Sequence, residues 1–171
     1  MAAGVEGKVN KVTGSKRSLS PQFLINNFGD SVQHFKKVDK FLKETGLPNE
    51  NDCPFIGRKV KHHQKVQKSD MVKVVSSACE EVGSKRIKDE DILKLLDDGP
   101  VVAALESTAA LSLLGKYEIY APPPQVGNVR HCVLIVDHGV DQDGRTYWLC
   151  RDSLGKLQGD QGYIRVEKNK D

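Results

Sequence analysis

Apolar residues recur along this chain at two spacings, one typical of helices and the other typical of strands. The helical spacing comes first, in the series Val5, Val9 and Val12. Residues three or four positions apart share one face of an α-helix, and Thr13-Gly14 is a typical helix end. A second short helix is predicted over 21–26, where Ser18 or Ser20 can serve as the N-cap and Pro21 suits the first turn.

A third helix is predicted to begin at Asp30 or Ser31 and to end at Gly46. Its apolar stripe consists of Val32, Phe35, Val38, Phe41 and Leu42. The lysines of the same segment fall on the other faces, as expected of a helix that packs one side against a core. The first part of the chain is therefore predicted to be mostly helical.

Short apolar runs bounded by turn residues dominate the second part. Strands are predicted at 72–75, 101–105, 132–136 and 147–150. Between the first two, Asp89 is predicted to cap a short helix that ends at Gly99-Pro100. Residues 109–114 are predicted to form a helix or a turn. The sum is an α+β chain with a β-rich C-terminal part.

The last two apolar runs are joined by polar residues that include Asp143-Gly144, a pattern typical of a β-hairpin. His131 stands just before the first run and Asp152 just after the second. In an antiparallel pair these two positions come to the same end of the ladder. An imidazole held by a carboxylate can act as an oriented general base.

The hairpin resembles the C-terminal half of papain-like cysteine peptidases. The matching residues are His131 with the apolar strand after it, Tyr147-Trp148-Leu149, Asp152-Ser153, Gly155 and the segment 159–166. Further matches lie upstream, at Thr13-Gly14, Leu19-Ser20, Gly46-Leu47-Pro48, Cys53-Pro54-Phe55, Gly99-Pro100-Val101 and 117–120. The resemblance implies a two-lobed α+β fold, with an incomplete helical N-terminal lobe and an antiparallel, barrel-like C-terminal lobe. It also implies that His131 corresponds to the catalytic base and Asp152 to the residue that orients it.

The resemblance leaves the nucleophile unaccounted for. In papain-like enzymes the catalytic cysteine lies about 130 to 150 residues before the histidine, so its position is expected to fall before Met1. Cys132 neighbours His131 on a strand and should point the opposite way. Cys150 takes a core aliphatic position of the family, and Cys53 takes an aromatic one.

We therefore interpret the chain as a papain-like pseudopeptidase, a non-catalytic binding or scaffold protein in which His131 and Asp152 are vestigial. Truncation within the central helix would expose apolar surface, so a protein partner is expected to cover that face. The alternative is a cysteine endopeptidase whose Cys-bearing N-terminal segment is missing from this chain or supplied by another chain. His131 would then be its general base.

Two other family features are changed. Asp152 stands where the family has Asn, and Leu154 and Gln158 replace the two indoles that shield that position. The family's Cys-x-Gly-Gly turn, which holds extended substrate, is replaced by 28–31, which reads Phe-Gly-Asp-Ser. These changes favour the pseudopeptidase interpretation.

Composition limits the remaining possibilities. A chain of 171 residues with 38% hydrophobic and 29% charged residues is that of an ordinary globular protein. We expect one papain-like domain over 1–171, with a partial helical lobe over about 1–75 and a β-rich lobe over about 76–171. Lys and Arg exceed Asp and Glu by 7 in the first segment, whereas the acids exceed by 4 in the second. Segments of opposite charge can attract each other or an external partner.

The stretch 56–70 is the most basic of the chain, and nucleic-acid binding through 58–73 is a third hypothesis. It lacks interleaved aromatic residues for base stacking, so a solvated surface is favoured. His62-His63 is a poor metal site because adjacent strand residues point to opposite faces. No cofactor, metal or membrane association is predicted. The four cysteines are expected to be reduced and mostly buried, and the start of the chain predicts an intracellular protein.

Overall fold

The computed structural model describes residues 1–29, 35–60, 66, 70–75, 77, 87–122 and 130–168. The chain divides into two compact units, Met1–Arg86 and Ile87–Asp171. The boundary was predicted near residue 75, whereas the first unit ends at Arg86. The segment between the two positions lies mostly outside the described residues. The first unit is helical, and the second is built on a sheet.

Three helices form the described part of the first unit: α1 (Ala2–Thr13), α2 (Pro21–Phe28) and α3 (Phe35–Glu44). A 3-10 turn follows at Glu50–Asp52. Helix α1 ends as predicted, with Gly14 in the left-handed conformation. Ser20 caps α2, since its hydroxyl accepts a hydrogen bond from the amide of Phe23. The predicted start of α3 at Asp30 or Ser31 lies outside the described residues.

The apolar faces of these helices meet in one core. Its buried members are Ala2, Leu19, Leu24, Val38, Leu42 and Leu47. Beside it, the side chain of Gln22 is buried and binds the loop that follows the 3-10 turn. Its Oε1 accepts hydrogen bonds from the amides of Ile56 (2.9 Å) and Gly57 (3.1 Å), and its Nε2 donates to the carbonyl of Arg58 (2.8 Å). One buried amide therefore fixes the path of this loop.

The predicted strand over 72–75 is wrong. Val72 forms an isolated antiparallel bridge with Leu47 and does not extend it into a ladder within the described residues. Gly46, with φ of 87°, turns the chain so closely against Val72 that a Cβ would lie 2.6 Å from its carbonyl oxygen. Half of the stretch 58–73, including His62-His63, lies outside the described residues.

The second unit contains helix α4 (Asp89–Asp98), strand β1 (Val101–Glu106), the short helix α5 (Ala109–Ser112) and strands β2 (Ile119–Tyr120), β3 (Arg130–Val140), β4 (Thr146–Arg151) and β5 (Tyr163–Glu167). They form one five-stranded sheet in the order β1-β3-β4-β5-β2. Most neighbours are antiparallel, but β2 pairs with β5 in parallel. The sheet is therefore mixed, whereas a fully antiparallel one was expected. The α+β fold class is confirmed.

The N-cap of α4 also differs from the prediction. Asp89 is the first helical residue rather than the cap, and Lys88 occupies the cap position without a side-chain hydrogen bond. The acidic first turn, Asp89 to Asp91, still suits the positive end of the helix dipole.

Strands β3 and β4 form the predicted hairpin. Their register contains a shift that the apolar pattern of the sequence did not indicate. The register shifts between Ile135 and Asp137, which marks a β-bulge. In the connecting turn, the carboxylate of Asp141 accepts hydrogen bonds from the amides of Asp143 and Arg145. Gly144 has φ of 77°, as the predicted Asp-Gly turn requires.

One face of the sheet is buried. Its core residues are Leu111, Tyr120, Val133, Ile135, Trp148, Cys150, Ile164 and Val166. Helix α4 covers the same core through Ile92, Leu93 and Leu96. The loop between β4 and β5 turns sharply at Gly159, where φ is 57° and a Cβ would collide with the carbonyl oxygen of Tyr163. This loop begins with Asp152, so its shape bears on the candidate site.

Candidate functional site

The β3–β4 hairpin brings His131 and Asp152 together at one end of the sheet. Leu134 pairs with Arg151 and Ile135 with Cys150. Continued along the strands, this register places Asp152 two residues diagonally from His131 and on the same face. His131 Nε2 lies 2.8 Å from Asp152 Oδ1, which is a hydrogen-bond distance. The pair predicted from the sequence is therefore formed within the second unit alone.

The carboxylate of Asp152 is held by the chain that follows it. Besides the imidazole, Oδ1 accepts hydrogen bonds from the amides of Ser153 (2.5 Å) and Leu154 (3.2 Å). Asp152 N donates to the carbonyl of Gly162 across the loop (2.9 Å). The aspartate side chain is fully buried, whereas the histidine side chain is 23% exposed. The loop thus fixes the carboxylate, and the carboxylate fixes the ring.

The pair also sets its own protonation states. The hydrogen bond with Asp152 raises the pKa of His131 above its usual range, although burial of the ring opposes this. Burial favours the neutral acid at Asp152, but the hydrogen bond and charge of His131, with the two backbone amides, outweigh it and lower its pKa. Imidazolium and carboxylate therefore stabilise each other.

The remaining ring nitrogen is available for chemistry. Among the described residues, the ring of His131 is hydrogen-bonded through Nε2, and Nδ1 makes no hydrogen bond. A ring oriented through one nitrogen can transfer a proton through the other. The arrangement can therefore supply a general base if a nucleophile lies beside Nδ1.

Neither described cysteine of this unit is a suitable nucleophile. Cys132 follows His131 on β3, opposite Ala104, and adjacent strand residues point to opposite faces. Cys132 is exposed, whereas a buried thiol was expected. Partial burial of its sulfur still raises the pKa of the thiol. Cys150 lies in the core, and burial raises its pKa to about 12. Both thiols are protonated near neutral pH and thus poor nucleophiles.

The other two cysteines belong to the first unit. Cys53 is free and buried in the first unit, as predicted. Cys79 lies outside the described residues. The expectation of mostly buried thiols therefore holds for Cys53 and Cys150 and is wrong for Cys132.

Gln158 is a site-supporting residue whose contacts the pattern did not reveal. Its side chain is buried, and Nε2 donates to the carbonyl of Leu111 in α5 at 2.6 Å. The amide of Gly162 donates to the Gln158 carbonyl at 2.9 Å. Gln158 thus ties the loop of Asp152 to α5, while Leu154, at the other replaced indole position, is 57% exposed.

Two polar oxygens in this region are buried without a hydrogen-bond partner among the described residues: Asp152 Oδ2 and Gln158 Oε1. Both are acceptors, so each would gain from a donor such as a water molecule. Within the same residues there is no group of three His, Cys, Asp or Glu side chains arranged to hold a metal ion. The described helices are also too short or too polar to cross a bilayer.

Fold and site together define a papain-like protein: a helical unit, a unit built on a mixed sheet, and a His–carboxylate pair on the hairpin of that sheet. The chain belongs to the papain family of cysteine proteases, whose model matches residues 1–171. The recognition made from the sequence is therefore confirmed.

Individual relatives agree with this assignment. The chain is 28% identical over 176 residues to cathepsin S of Mus musculus, covering 96% of this chain and 50% of the relative. It is 26% identical over 179 residues to cathepsin K of Mus musculus, covering 99% and 52%. The chain thus spans about half the length of the curated relatives it matches.

Solved structures show the same fold. The bromelain protease from Ananas comosus, in complex with the E64 inhibitor, aligns with a TM-score of 0.77 at 19% identity, covering 99% of this chain and 77% of that one. The proform of the ragweed cysteine protease Amb a 11 aligns with a TM-score of 0.79 at 20% identity, covering 98% and 51%. At these identities the solved structures establish the fold of this chain alone.

Proposed function

We propose that this 171-residue chain, by itself, binds protein or peptide without cleaving it, as a papain-family pseudopeptidase. The observation that carries the proposal concerns the His131–Asp152 pair. Its imidazole is oriented as a base, but neither described thiol of the second unit is placed to give it a proton. The pair then contributes stability to the hairpin, because the ring hydrogen-bonds Oδ1 of a buried carboxylate.

The proposed partner is a protein that covers apolar surface of the first unit. Val12 of α1 is 70% exposed, and the consecutive residues Phe55 and Ile56 are 58% and 53% exposed. Burial of such side chains contributes about 25 cal/mol for each Å² of apolar surface removed from water. These residues are the first to replace when testing the contact.

The proposal is tested by covalent labelling and cleavage assays on the 171-residue chain. Purified chain is incubated with E64, and its intact mass is measured, with bromelain as the positive control. In parallel, the chain is incubated with a mixture of peptides that bromelain cleaves. We expect no mass increase on this chain and no cleavage. A stoichiometric adduct, or cleavage that His131→Gln abolishes, would contradict the proposal.

A second function is favoured by the geometry of the ring. His131 is held through Nε2, and Nδ1 makes no hydrogen bond among the described residues, which is the arrangement a general base needs. With a cysteine supplied by a segment outside this chain, the pair would serve a cysteine endopeptidase. The two functions differ in the native source: a tagged E64 analogue should then label a complex or a longer product that contains this sequence. Absence of label on all such species would favour the pseudopeptidase.

A further inference from the structure

A small pocket lies on the outer face of the sheet, opposite the face that carries the core and the His131–Asp152 pair. It encloses about 260 Å³ and is lined by Lys116, Leu149, Asp160, Tyr163 and Arg165. Leu149 and Arg165 face each other across the β4–β5 ladder. Their neighbours along the strands, Trp148, Cys150, Ile164 and Val166, point to the opposite, buried face. The proposed function does not use this pocket.

Aromatic rings hold the guanidinium of Arg165 in place. Its Cζ lies 4.9 Å from the ring centre of Tyr147 and 5.5 Å from that of Tyr117. Both distances are within the range of a cation–π interaction. A guanidinium already held by two rings loses less freedom when it binds a ligand than a free side chain would.

A second cation stands at the rim. Lys116 Nζ lies 3.4 Å from the carboxylate of Asp160 and 5.3 Å from the ring centre of Tyr117. Both members of this ion pair are about half exposed, so it is weak and can open toward a ligand. Among the lining residues, two cations therefore face one carboxylate, and the pocket carries a net positive charge.

Size and lining restrict the ligand. Clefts for drug-sized molecules measure about 300 to 1,000 Å³, so this pocket suits a group the size of one or two side chains. The guanidinium and ammonium would bind an anion, and a guanidinium binds carboxylates with paired hydrogen bonds. Leu149 and the ring of Tyr163 offer apolar contact to a side-chain stem. A glutamate or aspartate side chain of a peptide has both parts.

We propose that this pocket binds an acidic peptide segment, with a carboxylate on Arg165 and Lys116 and the stem against Leu149 and Tyr163. The site is separate from the His131–Asp152 pair, so it can operate whether or not the chain has peptidase activity. It would give the protein a fixed docking point for an acidic region of a partner or substrate.

The experiment measures binding of fluorescein-labelled hexaglutamate by fluorescence anisotropy, with hexaglutamine as the uncharged probe. Hexaglutamate should bind, and its affinity should fall as salt rises, whereas hexaglutamine should not bind. Arg165→Gln should weaken binding about tenfold or more, as expected when a charge-assisted hydrogen bond is lost. Lys116→Gln should weaken it about threefold. Arg145→Gln removes an exposed arginine of the hairpin turn and should change affinity less than twofold.

Several results would overturn the proposal. Equal binding of both peptides, or an equal loss in Arg145→Gln and Arg165→Gln, would show general charge attraction instead of a pocket. Displacement of hexaglutamate by an equal concentration of inorganic phosphate would show that the pocket takes free oxyanions in place of a peptide. Fluorescence of Trp148 verifies that each variant is folded, and Lys116→Gln remains informative if Arg165→Gln is unstable.

Discussion

Replacement of Asp152 by Asn isolates the charge of the buried pair. Asn has nearly the same shape and can still accept hydrogen bonds from the His131 ring and from the amides of Ser153 and Leu154. The variant therefore keeps the geometry and removes the carboxylate charge that raises the pKa of His131. It also restores the residue type that the papain family carries at this position. Any change in stability then reports on the charge.

The sign of the effect follows from the two pKa shifts. The raised pKa of His131 stabilises the fold below the unfolded value of about 6.5, and this contribution is lost as pH rises through the folded pKa. The lowered pKa of Asp152 stabilises the fold above the unfolded value of about 3.9, and this contribution is lost as pH falls through the folded pKa. Both contributions are present together between about pH 4 and pH 6.5.

The expected cost of Asp152→Asn is therefore largest in that window. Hydrogen bonds to charged groups contribute about 1.5 to 3 kcal/mol, and those between neutral groups about 1 kcal/mol. We expect the variant to lose about 2 kcal/mol at pH 5.5 and about 1 kcal/mol or less at pH 8.5. Urea unfolding measures this through Trp148, the single tryptophan of the chain, which is buried in the core of the second unit. A loss of 2 kcal/mol corresponds to a midpoint shift of about 1 M urea.

The matched control is Asp91→Asn, which removes the same charge from an exposed carboxylate that pairs with Lys94. It should cost less than about 0.5 kcal/mol at either pH. NMR titration of the His131 ring should show its pKa fall in Asp152→Asn. A cost that is equal at pH 5.5 and pH 8.5, or a ring that titrates identically in both proteins, would refute the reasoning.

Three further predictions concern other parts of the molecule. Gly159→Ala should destabilise the second unit by about 2 kcal/mol or more, whereas Gly144→Ala, with positive φ but open space, should cost about 1 kcal/mol; urea unfolding measures both. Iodoacetamide at pH 8 should label exposed Cys132 at least about tenfold faster than Cys150, whose pKa is about 12, as peptide mass mapping can show. Gln22→Ala should cost about 3 kcal/mol because it removes a buried side chain that makes three hydrogen bonds to the loop 56–58, measured by circular dichroism during urea unfolding.

Each of these has a contradicting outcome. Equal costs at Gly159 and Gly144 would mean that the loop relaxes away from the collision. Equal labelling of the two thiols would mean that the sheet opens readily. A cost at Gln22 no greater than that of exposed Gln142→Ala would mean that water replaces its hydrogen bonds.

Features set by local chemistry were predictable from the sequence. Ser20 caps α2 because a serine hydroxyl before Pro21 satisfies a free helix amide. The β3–β4 hairpin follows from strand alternation and an Asp-Gly turn. The His131–Asp152 contact also depends on the bulge between Ile135 and Asp137, because its one-residue register shift brings both side chains to the same face.

Features that depend on residues far apart in the sequence were not predictable. The parallel pairing of β2 with β5 joins Tyr120 to Val166, and no local pattern encodes it. The pocket around Arg165 likewise combines Tyr117 and Tyr147, which meet only when the sheet is formed. Val72 reads as part of a strand because it is apolar and β-branched, but within the described residues it forms a single bridge to Leu47.

A cysteine-peptidase centre needs a base and a nucleophile, and the two have different structural requirements. A base must be oriented and must tolerate a positive charge, and Asp152 provides both through one short hydrogen bond. A nucleophile must be a thiol with a depressed pKa beside the ring, whereas both described thiols of this unit have raised ones. The oriented base alone therefore does not establish catalysis by this chain, since catalysis also requires a thiol beside Nδ1 of His131. An E64 analogue tests for this thiol in the native protein, because the inhibitor requires it.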